Sequence, residues 1–168
     1  MGRSTNKDSG FERVPHTADV GIRAWGKGLP ALFEAAAAGM AEIVFVRAAG
    51  TGAPAGSKPV RAVEEAISAE GEDLPDLLHA WLTEILFHAV SEAKVYDRFE
   101  VSRISPSSSG APGSGTGGDG WRIEGTARGE AFDPARHALL TELKAVTYHD
   151  LSVGEKNGRF EATALFDV

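Results

Sequence analysis

Cysteine is absent from this chain, and that gap removes disulfides, thiolate metal sites and a cysteine nucleophile together. A basic run is missing as well. Lysine and arginine total 17 against 24 acidic residues, for a formal net charge of −7 with no local cluster of positive charge. A protein that binds nucleic acid by itself normally presents a basic face, so direct DNA or RNA binding is not expected. The acidic balance suits a divalent cation or a basic partner surface better. Long apolar runs are also lacking. The longest, residues 29–46, is broken by Glu34 and Glu42 and is too short to span a bilayer. The opening MGRSTNKDSG holds no apolar signal core, and Asn6 stands where myristoylation needs Ser or Thr. A cytoplasmic protein is the expectation.

What is present is an ordinary globular composition. Hydrophobic residues make up 42% and charged residues 24% of 168, which fits a single domain. Residues 1–10 read as a disordered start and 11–168 as the domain. Strand-like stretches fall at 11–16 and 19–27. Residues 29–46 have Leu32, Phe33, Ala36, Met40 and Ile43 at helical spacing, with Pro30 suited to the first turn. Gly39 inside that helix costs about 1 kcal/mol relative to Ala, which points to close packing on a neighbour. Residues 50–57 read as a loop and 58–69 as a strand.

The strongest helix is 73–94. Asp73 can cap it, Pro75 fits its first turn, and Leu74, Leu77, Leu78, Trp81, Leu82, Ile85, Leu86 and Val90 form its apolar stripe. Strands are expected at 95–104, 121–132, 143–153 and 159–168, the last two joined by the turn Lys156-Asn157-Gly158. The Ser/Gly-rich stretch 105–120 reads as a flexible loop. The fold class expected is α+β: a two-layer domain with a mostly antiparallel sheet of about six strands packed by two helices.

Most motif matches dissolve on inspection. The loop holds two G-x-G-x-x-G spacings, Gly113/Gly115/Gly118 and Gly115/Gly117/Gly120. They lead into the strand-like Trp121-Arg122-Ile123 rather than a helix, so no helix N-terminus meets a pyrophosphate. His79 and His88, nine residues apart, lie on roughly opposite helix faces and read as rim residues that cannot share one metal. His137, near Asp133 and Arg136, reads as a loop residue.

Two places hold more. In Lys144-Ala145-Val146-Thr147-Tyr148-His149, a period of two puts Lys144, Val146 and Tyr148 on one face and Ala145, Thr147 and His149 on the other. That second face carries only small or polar groups. It is either the solvated side of an edge strand or a face kept clear for a partner or ligand. The other place joins the ends of the chain. His16 and Asp19 open one strand, and Asp167 and Val168 close the last. If those strands pair, Asp19, Asp167 and the carboxylate of Val168 converge, and a hard divalent ion would relieve their repulsion. The simpler alternative is a turn-capping Asp19 and a solvated chain end.

Taken together these stretches resemble the archease family. The residues are His16-Thr17-Ala18-Asp19-Val20-Gly21-Ile22, Leu32-Phe33-Glu34 through Gly39-Met40, Leu77-Leu78 with Trp81-Leu82 and Glu84, Lys144 to His149, and Asp167-Val168. They run in order from about Phe11 to the last residue. Pro15 before the histidine and the long loop at 105–120 depart from the family pattern.

The resemblance implies an accessory protein rather than an enzyme. Archeases assist the RtcB-type RNA ligase of tRNA splicing and RNA repair, promoting its guanylylation by GTP and its multiple turnover. It further implies a divalent metal, Ca²⁺ as the simplest fit with Mg²⁺ or Mn²⁺ possible, held by Asp19, Asp167 and Val168. His16, Lys144, Tyr148 and His149 would face the metal or the partner. Contact with tRNA would be only through the ligase. Two rivals stand beside this: a general chaperone or modulator of an RNA-modifying enzyme such as a tRNA methyltransferase, and a metal-dependent hydrolase using His16 or His149 as base.

Overall fold

The computed structural model describes residues 5–6, 8–15, 20–47, 61–107 and 120–168. The chain enters as β1 (Thr5–Asn6) and β2 (Ser9–Pro15). Residues 9 and 10 therefore belong to a sheet rather than to a disordered start. The reason is pairing on both sides: β1 folds back on β2, with Thr5 opposite Gly10, and β2 pairs antiparallel with β3 (Val20–Gly26). A Lys27–Asp8 ion pair at 2.7 Å holds the same corner.

Helix α1 (Leu29–Val44) has Pro30 in its first turn, as expected. It stops two residues early because Phe45 turns to extended backbone, φ −129° and ψ 149°. The chain then becomes β4 (Phe45–Arg47), which pairs with β8 (His137–Leu139). After β5 (Ala62–Gly71), α2 (Leu74–Ser91) begins under its expected cap, the Asp76 N–H donating to Asp73 Oδ1 at 2.8 Å. The remaining strands are β6 (Lys94–Pro106), β7 (Trp121–Ala131), β9 (Ala145–Lys156) and β10 (Arg159–Asp167).

All strand pairs are antiparallel, in three sheets of order β1-β2-β3-β10-β9, β4-β8 and β5-β7-β6. The α+β class stands, but the described residues hold ten strands rather than about six. The additions β1, β4 and β8 have three residues or fewer, too short to display a period of two. The expected loop at 50–57, residues 108–119 of the loop expected at 105–120 and the start of the strand at 58–60 lie outside the described residues, and residues 105 and 106 belong to β6 rather than to that loop.

Each helix packs on both larger sheets, and each is buried over a wide arc. Leu32, Phe33, Met40 and Ile43 of α1 and Leu77, Leu78, Trp81, Leu82 and Ile85 of α2 are almost fully enclosed. Burial of each such side chain is worth about 1.5–3 kcal/mol, so packing rather than propensity holds the helices. The Trp81 indole N–H donates to Phe33 O at 3.3 Å, tying helix to helix. The Val101 N–H donates to Glu34 Oε1 at 2.8 Å, tying β6 to α1.

Gly39 packs as its sequence position predicts: a Cβ there would lie 3.0 Å from the Phe11 ring and 3.3 Å from Ile22 Cγ2. Gly39→Val is expected to lower unfolding free energy by about 1–3 kcal/mol through overpacking. Gly39→Ala should change it less, because about 1 kcal/mol of helix propensity offsets the crowding. Urea titration checks both, and an unaltered midpoint for Gly39→Val would contradict this packing.

On the sheet surface, Glu161 lies between Arg159 at 2.5 Å and Arg23 at 2.7 Å. These guanidinium groups hold its carboxyl down from 4.5 to about 2. A carboxyl depressed in the folded state stabilises fully above its unfolded value and loses that contribution as protons return. Wild type should therefore lose its advantage over Glu161→Gln between pH 4.5 and about 2. Urea midpoints across that range test the sign.

Candidate functional site at the paired strand ends

The β3–β10 ladder joins residues far apart in sequence. Val20 pairs with Phe166, Gly21 with Leu165 and Ile22 with Ala164. Val20 directly follows Asp19, and Phe166 directly precedes Asp167. On the other side of β10, Asp167 pairs with Ala145 of β9. Two further bonds close this end: the Lys144 N–H donates to Asp167 O at 2.9 Å, and Lys144 Nζ donates to the Val168 main-chain oxygen at 3.0 Å. Lys144, Asp167 and Val168 are thus brought together. The Asp167 side chain is exposed and has no hydrogen-bond or ion-pair partner among the described residues. His16 and Asp19 lie outside the described residues.

Strand β9 is the edge strand of its sheet, as one sequence alternative has it, but its alternation does not run through His149. Register passes from Leu165↔Thr147 to Thr163↔Ser152, five residue steps on β9 against two on β10. Three extra residues therefore bulge out, and Asp150 takes φ 50° to allow it. A bulge of this kind re-aims side chains beside it. The small-residue face is also not wholly solvated: the Thr147 hydroxyl is buried without a hydrogen-bond partner among the described residues, beside Leu165 at 2% exposure.

Tyr148 sits on this bulge, about 10 Å along the strand from Ala145. Its ring is 64% exposed, yet it is held at two points. It stacks on His79 with centroids 3.9 Å apart and planes at 11°, and its hydroxyl donates to Asp76 Oδ1 at 2.7 Å. His79 is held in turn, its Nε2–H donating to Val146 O at 2.9 Å. The Glu72 N–H, at 2.9 Å from Asp76 Oδ2, and then the Tyr148 hydroxyl hold the Asp76 carboxyl below its usual range. The same bond to Asp76 raises the Tyr148 phenol. His149 is exposed and its Nε2 lies 3.4 Å from Asp150 Oδ2. A groove of about 790 Å³, lined by apolar side chains such as Phe45, Val95 and Phe99 and by Arg13, Glu42 and Asp97, contains none of these residues.

The whole span from Phe11 onward matches one family. The model of the Archease protein family (MTH1598/TM1083) covers residues 11–168. This chain belongs to the archease family. A Methanopyrus kandleri archease is 35% identical over 158 residues, covering 94% of this chain and 99% of the relative. A Pyrococcus furiosus archease is 35% identical over 161 residues, covering 94% and 98%. The solution structure of Methanobacterium thermoautotrophicum protein 1598 superposes with a TM-score of 0.71 at 30% identity, covering 95% and 99%. The fold is shared as well with a Thermotoga maritima archease described as a possible chaperone, at TM-score 0.50 and 18% identity.

In this archease the Tyr148 support was not among the sequence candidates. His79 reads from sequence as a rim residue, yet it is half-buried and carries the exposed ring. The available signal was the Asp76/His79 spacing, which puts both on one helix face. His137 is corrected too: it lies in β8 and is 3% exposed, rather than in a loop. The Asp133 N–H donates to its Nδ1 at 3.0 Å, so Nε2 carries the proton and donates to Glu130 Oε1 at 2.9 Å. Its role is structural.

Tyr148→Phe keeps the stack on His79 and removes the bond to Asp76. The Asp76 carboxyl should titrate higher than in wild type while staying below its ordinary 3.8, because the Glu72 N–H remains. The stability change should stay near or below about 1 kcal/mol. Side-chain carboxyl NMR across acid pH reads the shift, and an unmoved Asp76 would show that the hydroxyl contributes nothing.

Proposed function

We propose that this protein is an accessory activator of an RtcB-type RNA ligase in tRNA splicing and RNA repair. It promotes guanylylation of the ligase by GTP and so permits multiple turnover, with no catalytic residue of its own. Family membership carries the reading, and the β3–β10 pairing of Val20 with Phe166 supports the choice of site. That pairing tethers the sequence neighbours of Asp19 and Asp167 to adjacent strands.

The proposed cofactor is a divalent cation, Ca²⁺ first and Mg²⁺ or Mn²⁺ next, held by Asp19, Asp167 and Val168. The donors fit a hard ion. Asp167 presents an exposed carboxylate without a partner among the described residues, and the Val168 oxygen keeps a second lone pair beyond the one engaged by Lys144. Such an ion would supply positive charge at the tip of an acidic protein, the kind of charge that stabilises phosphates. Lys144 orients the chain end, and His16, Tyr148 and His149 face the ligase. The partner's recognition of tRNA stays with the ligase.

A guanylylation assay tests this with the cognate ligase, GTP, a divalent metal and sub-stoichiometric protein. Wild type should drive repeated turnover. Asp167→Ala, still folded, should lose more than about tenfold of that stimulation, in line with the effect of disturbing a metal site. Stabilisation of a partner that needs neither GTP nor Asp167 would favour the chaperone reading instead. Nucleotide hydrolysis by the isolated protein would favour the hydrolase.

A further inference from the structure

A second group of ligating side chains stands at the other end of α2. Glu65 of β5, His88 of α2 and Glu92 just past the helix each bring one ligand atom to within 4.8 Å of the others. Asp76, which holds Tyr148, is sixteen residues from Glu92, roughly 24 Å along a helix. The two places are separate.

Three features distinguish this cluster from ordinary surface acid. His88 is oriented by Glu92, with Nδ1 3.1 Å from Glu92 Oε1, while Nε2 faces Glu84 Oε1 at 3.6 Å, beyond hydrogen-bond reach. An imidazole with one nitrogen in the cluster and the other facing a carboxylate is the arrangement that sets the tautomer for metal ligation. The cluster also already recruits a cation, because Lys94 Nζ bridges Glu65 and Glu92. Finally, the Tyr96 hydroxyl is buried, on a residue only 4% exposed, and has no hydrogen-bond partner among the described residues. It lies beside Lys94, Glu65 and Glu92. Its hydroxyl has no acceptor among the described residues.

We propose that Glu65, His88 and Glu92 form a second divalent-cation site, of the zinc class, in which the metal displaces Lys94 and the Tyr96 hydroxyl hydrogen-bonds the ion's remaining solvent ligand. One imidazole with two carboxylates suits Zn²⁺ better than Ca²⁺, which prefers an all-oxygen shell. Two carboxylates, from Glu65 and Glu92, face one ammonium, so Lys94 leaves negative charge unmatched. Its pairing is partly solvated, with Glu92 42% exposed, and a flexible four-carbon stem lets the ammonium withdraw into water. The His88 Nδ1 proton moves by way of solvent to Nε2, facing Glu84, as Nδ1 takes the metal.

Zn²⁺ alone, titrated calorimetrically into the full chain carrying Asp167→Ala, tests this without the strand-end oxygens contributing. One equivalent should bind. Adding His88→Gln should weaken binding at least tenfold, and Lys94→Met should tighten it several-fold by removing the competing cation. Co²⁺ in place of Zn²⁺ should give visible ligand-field absorption that His88→Gln abolishes. Glu92→Gln, at an exposed position, replaces His88→Gln if that variant does not fold. Binding unchanged within twofold by the ligand variant, or not tightened by Lys94→Met, would overturn the site and leave the cluster a structural ion-pair network.

Discussion

The β3–β10 ladder is the constraint on which the rest of the molecule depends. It pairs residues 20–26 with 160–166, so the sheet closes only when almost the whole chain has been made. Its inner face supplies Ile22, Ala24, Ala162, Ala164 and Phe166 to the core beneath the helices. Its end places Val20 beside Phe166 and Asp167 beside Ala145, and Lys144, just before β9, bonds to Asp167 and Val168. One set of backbone hydrogen bonds thus serves both the core and the candidate site. Damage to the packing below it would be felt at the site above.

A second level of organisation comes from α2, whose two ends carry different chemistry. At its N-terminus, Asp73 accepts an N–H that the helix itself leaves open, and Asp76 accepts the N–H of Glu72 just before the cap. The same Asp76 then holds Tyr148, so the entry to the helix and presentation of an exposed ring share one carboxylate. At its C-terminus, His88 and Glu92 meet Lys94 and Glu65 from the three-stranded sheet. The middle of the helix is apolar and enclosed around Trp81, which fixes the distance between the two polar ends. Both ends are therefore positioned by one packed element rather than by loops.

Long periodic elements were legible from sequence because their signal is local. Both helices, their first-turn prolines and the Asp73 cap follow from spacing and short-range chemistry, and Gly39 betrayed its contact with Phe11 by its cost in a helix. The three shortest strands were not legible, since they exist only because a partner strand lies beside them. The bulge at Tyr148 was hidden for a related reason. Alternation from Lys144 to His149 reads as a continuous strand until β10 sets the register and leaves three residues over. His79, His88 and His137 show the same limit: each reads as a surface or loop residue until the partner element is in place.

The amino-acid order by itself determined the α+β class, the two helices, the family resemblance and, through that resemblance, the strand ends near Asp19 and Asp167 as the place to look. Those follow from local periodicity and from ordered motifs, which survive without coordinates. Tertiary structure alone decided that Lys144 meets Val168, that Tyr148 rests on His79 and Asp76, and that Glu65 joins His88 and Glu92. These contacts join residues 23 to 72 positions apart, as in the bond from Tyr148 to Asp76. No local pattern encodes such distances, because they are set by which strands share hydrogen bonds and by which helix packs over them.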